Sequence, residues 1–468
     1  MYIQQLYTGC LSEAAYYIED QGEAAIIDPL RDIEEYLLIA KERKATIKYI
    51  FETHFHADFV SGHLDLAQAS GAPIIYGPQT ETSFPIYKAK DGEQFKLGGL
   101  TIEVLHTPGH TLESSCYLLK DANGKDHAIF TGDTLFVGDV GRPDLSSGNL
   151  NKEELAGMLY DSLQQKIRPL SDEVIVYPAH GQGSSCGKNL GPDTYSTLGE
   201  ERKTNYALKQ QSREEFIKSV TEGLNVAPQY FSINARINKE GYESLDGIIE
   251  NALRPLSPED FKKLMGDDDT IVLDTRNASL FTEGYIPGSI SIGLDGRFAE
   301  WAGSLLPFDK PLLLVTEPGR EKESAVRLAR VGFDQMKGCL KGGFEAWKSA
   351  GERADLIINV DADELAMDIR FDPKLLVVDV RRETEYGDGH LAEARNIPLE
   401  TLTDPGTMAD FNDTDNIYLH CASGYRSVIA ASLFKRQGIH NLRNIMGGFE
   451  AIRELGGFEI VKENSVLN

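Results

Sequence analysis

The sequence predicts an α/β protein in three parts: an αββα sandwich, then two small α/β domains with parallel sheets. Two observations carry this. In the first half, short β-branched runs alternate with turn residues and helical stretches, and several runs end beside a histidine or aspartate. In the second half the chain repeats itself at an offset of 105 residues. A length of 468 residues agrees with three domains at about 150 residues each.

Taken in order, "AAIIDP", "IKYIFET", "PIIYG", "LTIEVLHTPGH", "AIFTGD" and "EVIVYPAHG" read as buried strands of the sandwich. Residues 196–256 are more polar. Leu198, Tyr206, Leu208, Phe216, Ile217, Val220 and Leu224 stand there at broadly helical spacing, and "APQYFSINARINKEG" reads as a connector. The repeat then pairs "VLDTR" with "VVDVR", "GYIPGSISI" with "GHLAEARNI", and "GGFEAW" with "GGFEAI". Each copy runs strand, helix, strand, helix, which suits a small parallel sheet. The expected divisions are 1–235 for the sandwich, 236–256 for a linker, 257–355 for the first repeat and 356–468 for the second.

A formal net charge of −26, spread along the chain, argues against non-specific binding to nucleic acid or to an anionic membrane. No apolar run follows a basic N-terminal stretch, and no window reaches the ~18 apolar residues of a membrane span. The five cysteines, Cys10, Cys116, Cys186, Cys339 and Cys421, are odd in number and far apart. Free thiols in a reducing cytoplasm are therefore expected.

The chemistry of the first part starts at "ETHFHADFVSGH". His54 and His56 alternate, so in extended backbone both point one way. His110 follows Thr107-Pro108-Gly109, a turn that swings its ring inward. Asp133 ends "TGD", where Gly132 permits close backbone approach. His180 ends "PAH". Two imidazoles and a carboxylate suit zinc or non-haem iron, and donor type alone does not choose between them. His63, His106 and His127 lack partner motifs and read as structural.

These four motifs together resemble the metallo-β-lactamase superfamily over about residues 1–235. In that superfamily the residue after the motif aspartate is usually a histidine that helps hold a second metal. Here it is Phe59, which has no lone pair, and a mononuclear site is expected. Within the superfamily the chain looks most like persulfide dioxygenases of the ethylmalonic-encephalopathy type. By matching motif, that resemblance implies one Fe(II) per chain on His54, His110 and Asp133, with positions open for a persulfide sulfur and O2. His56 and Asp58 would orient these ligands, or His56 would be a fourth ligand. In "GDVGRPDL", Arg142 would hold a substrate carboxylate or orient Asp144. With Phe59 present, His180 would line the pocket. "GSSCGKNL" resembles a loop of persulfide dioxygenases fused to rhodanese domains. It offers Cys186 as a sulfur relay or as a small residue filling a turn, and Lys188 as an anion contact.

The second repeat contains "LHCASGYRSVIAAS". Cys421 follows a strand, Ala422, Ser423, Gly424, Tyr425 and Arg426 wrap as a loop, and a helix begins behind them. Loop amides and the positive end of a helix dipole both stabilise an anionic sulfur or persulfide. This CxxGxR loop resembles the rhodanese active site, with Asp379, Arg381 and His390 at positions that read as structural. In the first repeat the matching residue is Thr316. A hydroxyl carries no sulfane sulfur, and Glu317 and Glu321 repel anions, so this copy resembles a pseudo-rhodanese with a packing role.

The combined expectation is an enzyme. It oxidises a low-molecular-weight thiol persulfide with O2 to sulfite, and Cys421 moves sulfur between persulfide, sulfite and thiosulfate. The direction of transfer and the identity of the thiol stay open. A homo-oligomer is compatible with the acidic charge and the non-catalytic repeat. Two rivals are a mononuclear zinc thioester hydrolase with an appended sulfurtransferase, and a non-catalytic scaffold carrying persulfide on Cys421.

Overall fold

The computed structural model describes residues 1–145, 150–209, 211–224, 226–267, 269–412 and 414–463. The chain divides into two compact units, Met1–Gly247 with Leu328–Gly332, and Ile248–Arg327 with Phe333–Asn468. Residues 464–468 of the expected second repeat lie outside the described residues.

The first unit holds two six-stranded sheets. One orders Tyr2–Thr8, Glu13–Asp20, Glu23–Ile27, Thr46–Phe51, Ile74–Tyr76 and Tyr87–Lys88. The other orders Ser196–Thr197, Ile175–Pro178, Asp126–Gly132, Ser115–Lys120, Leu100–His106 and Gln94–Leu97. Side chains alternate across each strand. Tyr16, Ile18, Phe51, Tyr117, Leu119 and Phe130 join one core between the sheets. Their neighbours face outward: Ala15 and Tyr17 pack with Tyr36 and Ala40, and Cys116 and Leu118 with Leu159 and Phe216. Burial of each large side chain in the shared core contributes ~1.5–3 kcal/mol, so this layer dominates the unit's stability.

All six expected strands form, and strands at Tyr2–Thr8, Glu13–Asp20 and Ser115–Lys120 add to them. Asp126–Gly132 runs parallel to Ile175–Pro178 and antiparallel to Ser115–Lys120, which is antiparallel to Leu100–His106. Three strands of one sheet therefore finish at the same edge, and they deliver His110, Asp133 and His180 there.

The connector reading at 227–241 is corrected. Tyr230–Glu240 is an α-helix, and a division at 235 would cut through it. Its buried face includes Tyr230, Phe231, Asn234 and Asn238. The segment's polarity hid a buried face, part aromatic and part carboxamide, that closes within the first unit.

The second unit holds two five-stranded parallel sheets with the same topology. The first orders Pro255–Leu256, Met336–Leu340, Leu312–Val315, Ile271–Asp274 and Ile290–Ser291. The second orders Ile358–Val360, Leu442–Ile445, Asn416–His420, Leu375–Asp379 and Ala394–Asn396. No helix among the described residues is long and apolar enough to cross a membrane.

Candidate functional site

His54 follows the strand Thr46–Phe51 and is buried. Its Nδ1 lies 2.9 Å from Thr53 Oγ1, whose own hydroxyl donates to Asp28 Oδ2 at 2.8 Å. The hydroxyl proton is thus committed to Asp28, so His54 carries its proton on Nδ1 and keeps the Nε2 lone pair. Burial, and the charges of His56, His110 and His180, hold its pKa well below the ordinary histidine value.

His110 reaches the same point from another element. Its Nδ1 lies 2.8 Å from the Arg142 carbonyl, which can only accept, so its Nε2 is also left as a donor atom to a metal. The turn before it requires Gly109, because a Cβ there would meet Leu159 backbone atoms at 2.4 Å. Gly132, at φ +52°, sits against Thr53, where a Cβ would come within 2.6 Å of the side chain. That approach sets Asp133 beside the two rings: its Oδ2 is 3.4 Å from His110 Nε2 and 3.8 Å from His54 Nε2.

Asp133 is buried, and neither carboxylate oxygen has a hydrogen-bond partner among the described residues. A buried carboxylate left so costs several kcal/mol. A cation shared with two imidazole lone pairs supplies the missing interaction, so these residues fit a metal. The donor atoms of His54, His110 and Asp133 all lie within 4.8 Å of one another.

His56 is not in that triple. Its Nε2 is 3.1 Å from Asp28 Oδ1 and 3.5 Å from Glu52 Oε2. Burial alone would lower its pKa, but these two carboxylates hold it well above the ordinary value. The Phe59 ring, fully buried, stacks on it at 4.3 Å and 29°. These two carboxylates orient the ring, and His56 also forms a donor group with Asp58 and His180.

On the far side of Asp133, His180 donates from Nδ1 to the Ser12 carbonyl at 3.2 Å. Its Nε2 lies 3.4 Å from Asp58 Oδ2 and 3.5 Å from Asp133 Oδ1. The buried Cys186 thiol groups with Asp133 and His180. Burial, then the Asp58 and Asp133 charges, push that thiol up, so it stays protonated.

Two basic residues of the site make contacts within the chain. Arg142 makes a bidentate pair with Asp144 at 2.7 Å and 2.7 Å. Of the two expectations for it, orienting Asp144 is the one with contacts. Lys188 Nζ donates to the carbonyls of Ser219 and Glu222 at the end of the helix Arg213–Thr221. There it caps the helix's C-terminal carbonyls.

Sequence reasoning missed Asn238. This buried amide donates to the carbonyls of His56 (2.8 Å) and Phe59 (2.7 Å) and accepts from Ser61 N (2.9 Å). It ties the whole metal loop from nearly two hundred residues away, a distance no local spacing encodes.

In the second unit Cys421 is buried at the end of the strand Asn416–His420. Gly424 N donates to its Sγ at 3.1 Å, and Gly424, at φ +113°, leads into the helix Tyr425–Arg436. Ala422, Ser423 and Gly424 form the turn between them. Arg426 is paired with Glu385 at 2.6 Å and 2.7 Å, so its charge is neutralised locally. Thr316 occupies the corresponding place after Leu312–Val315, its Oγ1 3.7 Å from Cys339 Sγ. All five cysteines are free.

The Metallo-beta-lactamase superfamily description matches residues 8–180, and the Rhodanese-like domain description matches 257–350 and 361–455. A metallo-beta-lactamase from Staphylococcus aureus subsp. aureus COL superposes with a TM-score of 0.65, at 31% identity, over 73% of this chain and 99% of that one. ETHE1 from Myxococcus xanthus is 32% identical over 51% of this chain and 98% of its own, with a TM-score of 0.44. A probable hydroxyacylglutathione hydrolase of Schizosaccharomyces pombe is 30% identical over 181 residues, 37% of this chain and 66% of the relative. The chain belongs to the metallo-β-lactamase superfamily, and two rhodanese-like domains follow its metal-binding part.

Proposed function

We propose that the first unit oxidises the outer sulfur of a low-molecular-weight thiol persulfide, and that Cys421 exchanges sulfane sulfur with the products. One persulfide, one O2 and one water give the thiol, one sulfite and two protons. The observation that supports this most is Phe59. A phenyl ring stacked on His56 stands where the superfamily's second-metal histidine is expected, beside the donor group of His54, His110 and Asp133.

That triad would hold one ferrous ion, which when bound supplies the redox chemistry uniting O2 with sulfur. The chain's own part is positional. Asp28 through Thr53, and the Arg142 carbonyl, keep both Nε2 atoms deprotonated and aimed at Asp133. Cys186, held as a neutral thiol, is an S–H donor for an anionic persulfide. Sulfite leaving this reaction accepts the outer sulfur of a Cys421 persulfide: a sulfur–sulfur bond to sulfite forms, that to Cys421 breaks, and thiosulfate and the Cys421 thiolate result.

A second reading is thioester hydrolysis. The named function of the Schizosaccharomyces pombe relative favours it, and so do the Asp58, His180 and Cys186 donors beside Asp133. Metal analysis after anaerobic purification, with an oxygen electrode and glutathione persulfide as substrate, separates the two. Iron near one equivalent with O2 uptake is expected. Zinc, no uptake and hydrolysis of a glutathione thioester would establish the rival. Cys421→Ser is expected to end thiocyanate formation from thiosulfate and cyanide while leaving O2 uptake intact.

A further inference from the structure

The second unit contains a cavity of about 340 Å³ against the Cys421 loop, and both repeats line it. Ser423, Gly424 and Tyr425 form one wall, and Asn277, Ser279 and Asp295 of the degenerate repeat form the opposite one. The volume falls in the ordinary range for small-molecule sites and exceeds what the five-atom thiosulfate anion fills.

The lining mixes apolar and polar surface and is nearly uncharged. Among the described residues no lysine or arginine lines it, and its one ionised group, Asp295, is paired with Arg320 at 2.8 Å. Arg426, the basic residue of the loop itself, is spent on Glu385. A dianion entering here would lose hydration with no cation to replace it. The polar groups that line it are mainly carboxamides and hydroxyls, several of them in a hydrogen-bonded chain that crosses from one repeat to the other. Asn444 Nδ2 donates to Asn359 Oδ1 (2.9 Å), and Asn359 Nδ2 donates to Thr282 Oγ1 (2.9 Å). Asn444 Oδ1 in turn accepts from Ser427, in the first turn of the helix behind Cys421 (2.7 Å). Each carboxamide uses one N–H in this chain, and the second is what a ligand carbonyl would meet.

The degenerate repeat also holds the loop in place. Tyr425 OH donates to the Gly293 carbonyl at 2.7 Å, and the ring lies so close to Gly296 that a Cβ there would come within 2.6 Å of it.

We propose that the degenerate repeat is the donor-binding half of the Cys421 site, selecting persulfides of uncharged, amide-bearing carriers over thiosulfate. This deepens the sulfur-carrier reading of Cys421 and rests on it. In the step it serves, the Cys421 thiolate attacks the outer sulfur of R–S–SH. A new sulfur–sulfur bond forms on Cys421, the donor's own breaks, and R–S⁻ leaves with the electron pair and takes up a proton from solvent.

The test uses the full chain, with sulfur loading of Cys421 read by peptide mass. The probes are the persulfide of N-acetylcysteinamide, whose carrier is uncharged apart from the sulfur and bears two amides, and thiosulfate. The persulfide is expected to load with a kcat/KM about tenfold or more above that of thiosulfate. Asn359→Ala, at an exposed position, is expected to raise KM for the persulfide about tenfold and to leave thiosulfate loading within about twofold. Thiosulfate loading as well as the persulfide, or an equal loss for both donors in the variant, would overturn the pocket assignment while the carrier reading stands. Loading by neither donor would overturn both.

Discussion

One residue, Phe59, separates the two chemistries open to this metal loop. Its ring contributes no donor atom, and it packs on the His56 ring that Asp28 and Glu52 hold in place. Phe59→His is therefore expected to raise bound metal from one to two equivalents, measured by elemental analysis, and to lower O2 uptake. A ratio that stays at one in the variant would mean that the phenyl ring is not what limits the metal count. In the second unit, Glu385 gives a pH prediction. Burial raises its pKa, but the Arg426 hydrogen bonds and charge outweigh this and hold the carboxyl below the ordinary glutamate range. A lowered folded pKa means that the pair's stabilisation is present above the unfolded value near ~4.3 and is lost as pH falls through the folded one. Acid titration of unfolding is expected to show a steeper loss below about pH 4 in the parent than in Glu385→Gln.

At the scale of elements, the helix Tyr230–Glu240 illustrates how a polar segment becomes part of the site. Its Asn238 makes three hydrogen bonds to the loop 56–61, all buried. Asn238→Ala leaves two carbonyls and an amide without partners, at about 1–3 kcal/mol each before any relaxation. The expected result is a lower melting temperature and metal affinity reduced about tenfold or more, as loss of a ligand-orienting group does. Unchanged metal affinity in a folded variant would show that the loop holds its own shape.

For the whole molecule, metal and sulfur chemistry fall in separate compact units. Asp133 with His54 and His110 is an uncompensated buried cluster in the first unit alone. Chelation under anaerobic conditions should lower the calorimetric transition of the first unit and leave that of the second in place. A common shift of both transitions would mean that the metal stabilises the chain as a whole. The repeat carries the other lesson at this scale. Two copies with one strand order diverged at a single decisive position, Thr316 against Cys421, and the degenerate copy still contributes a wall to the cavity by the active loop.

The sequence by itself determined the elements that local chemistry encodes. Alternating apolar residues marked the strands, His54, His110 and Asp133 stood at strand ends, and the repeat with Cys421 marked the sulfur loop. Only the tertiary structure decided what each of these groups faces. The Arg142 carbonyl that fixes His110 is a backbone atom and has no signature in residue type. Asn238, Asp28 and Asn359 act across long stretches of chain, and Lys188 is drawn away to cap a helix. Spacing along a chain encodes periodicity and turn geometry. Which lone pair meets which proton depends on packing between distant segments, and that is settled only when the sheets close.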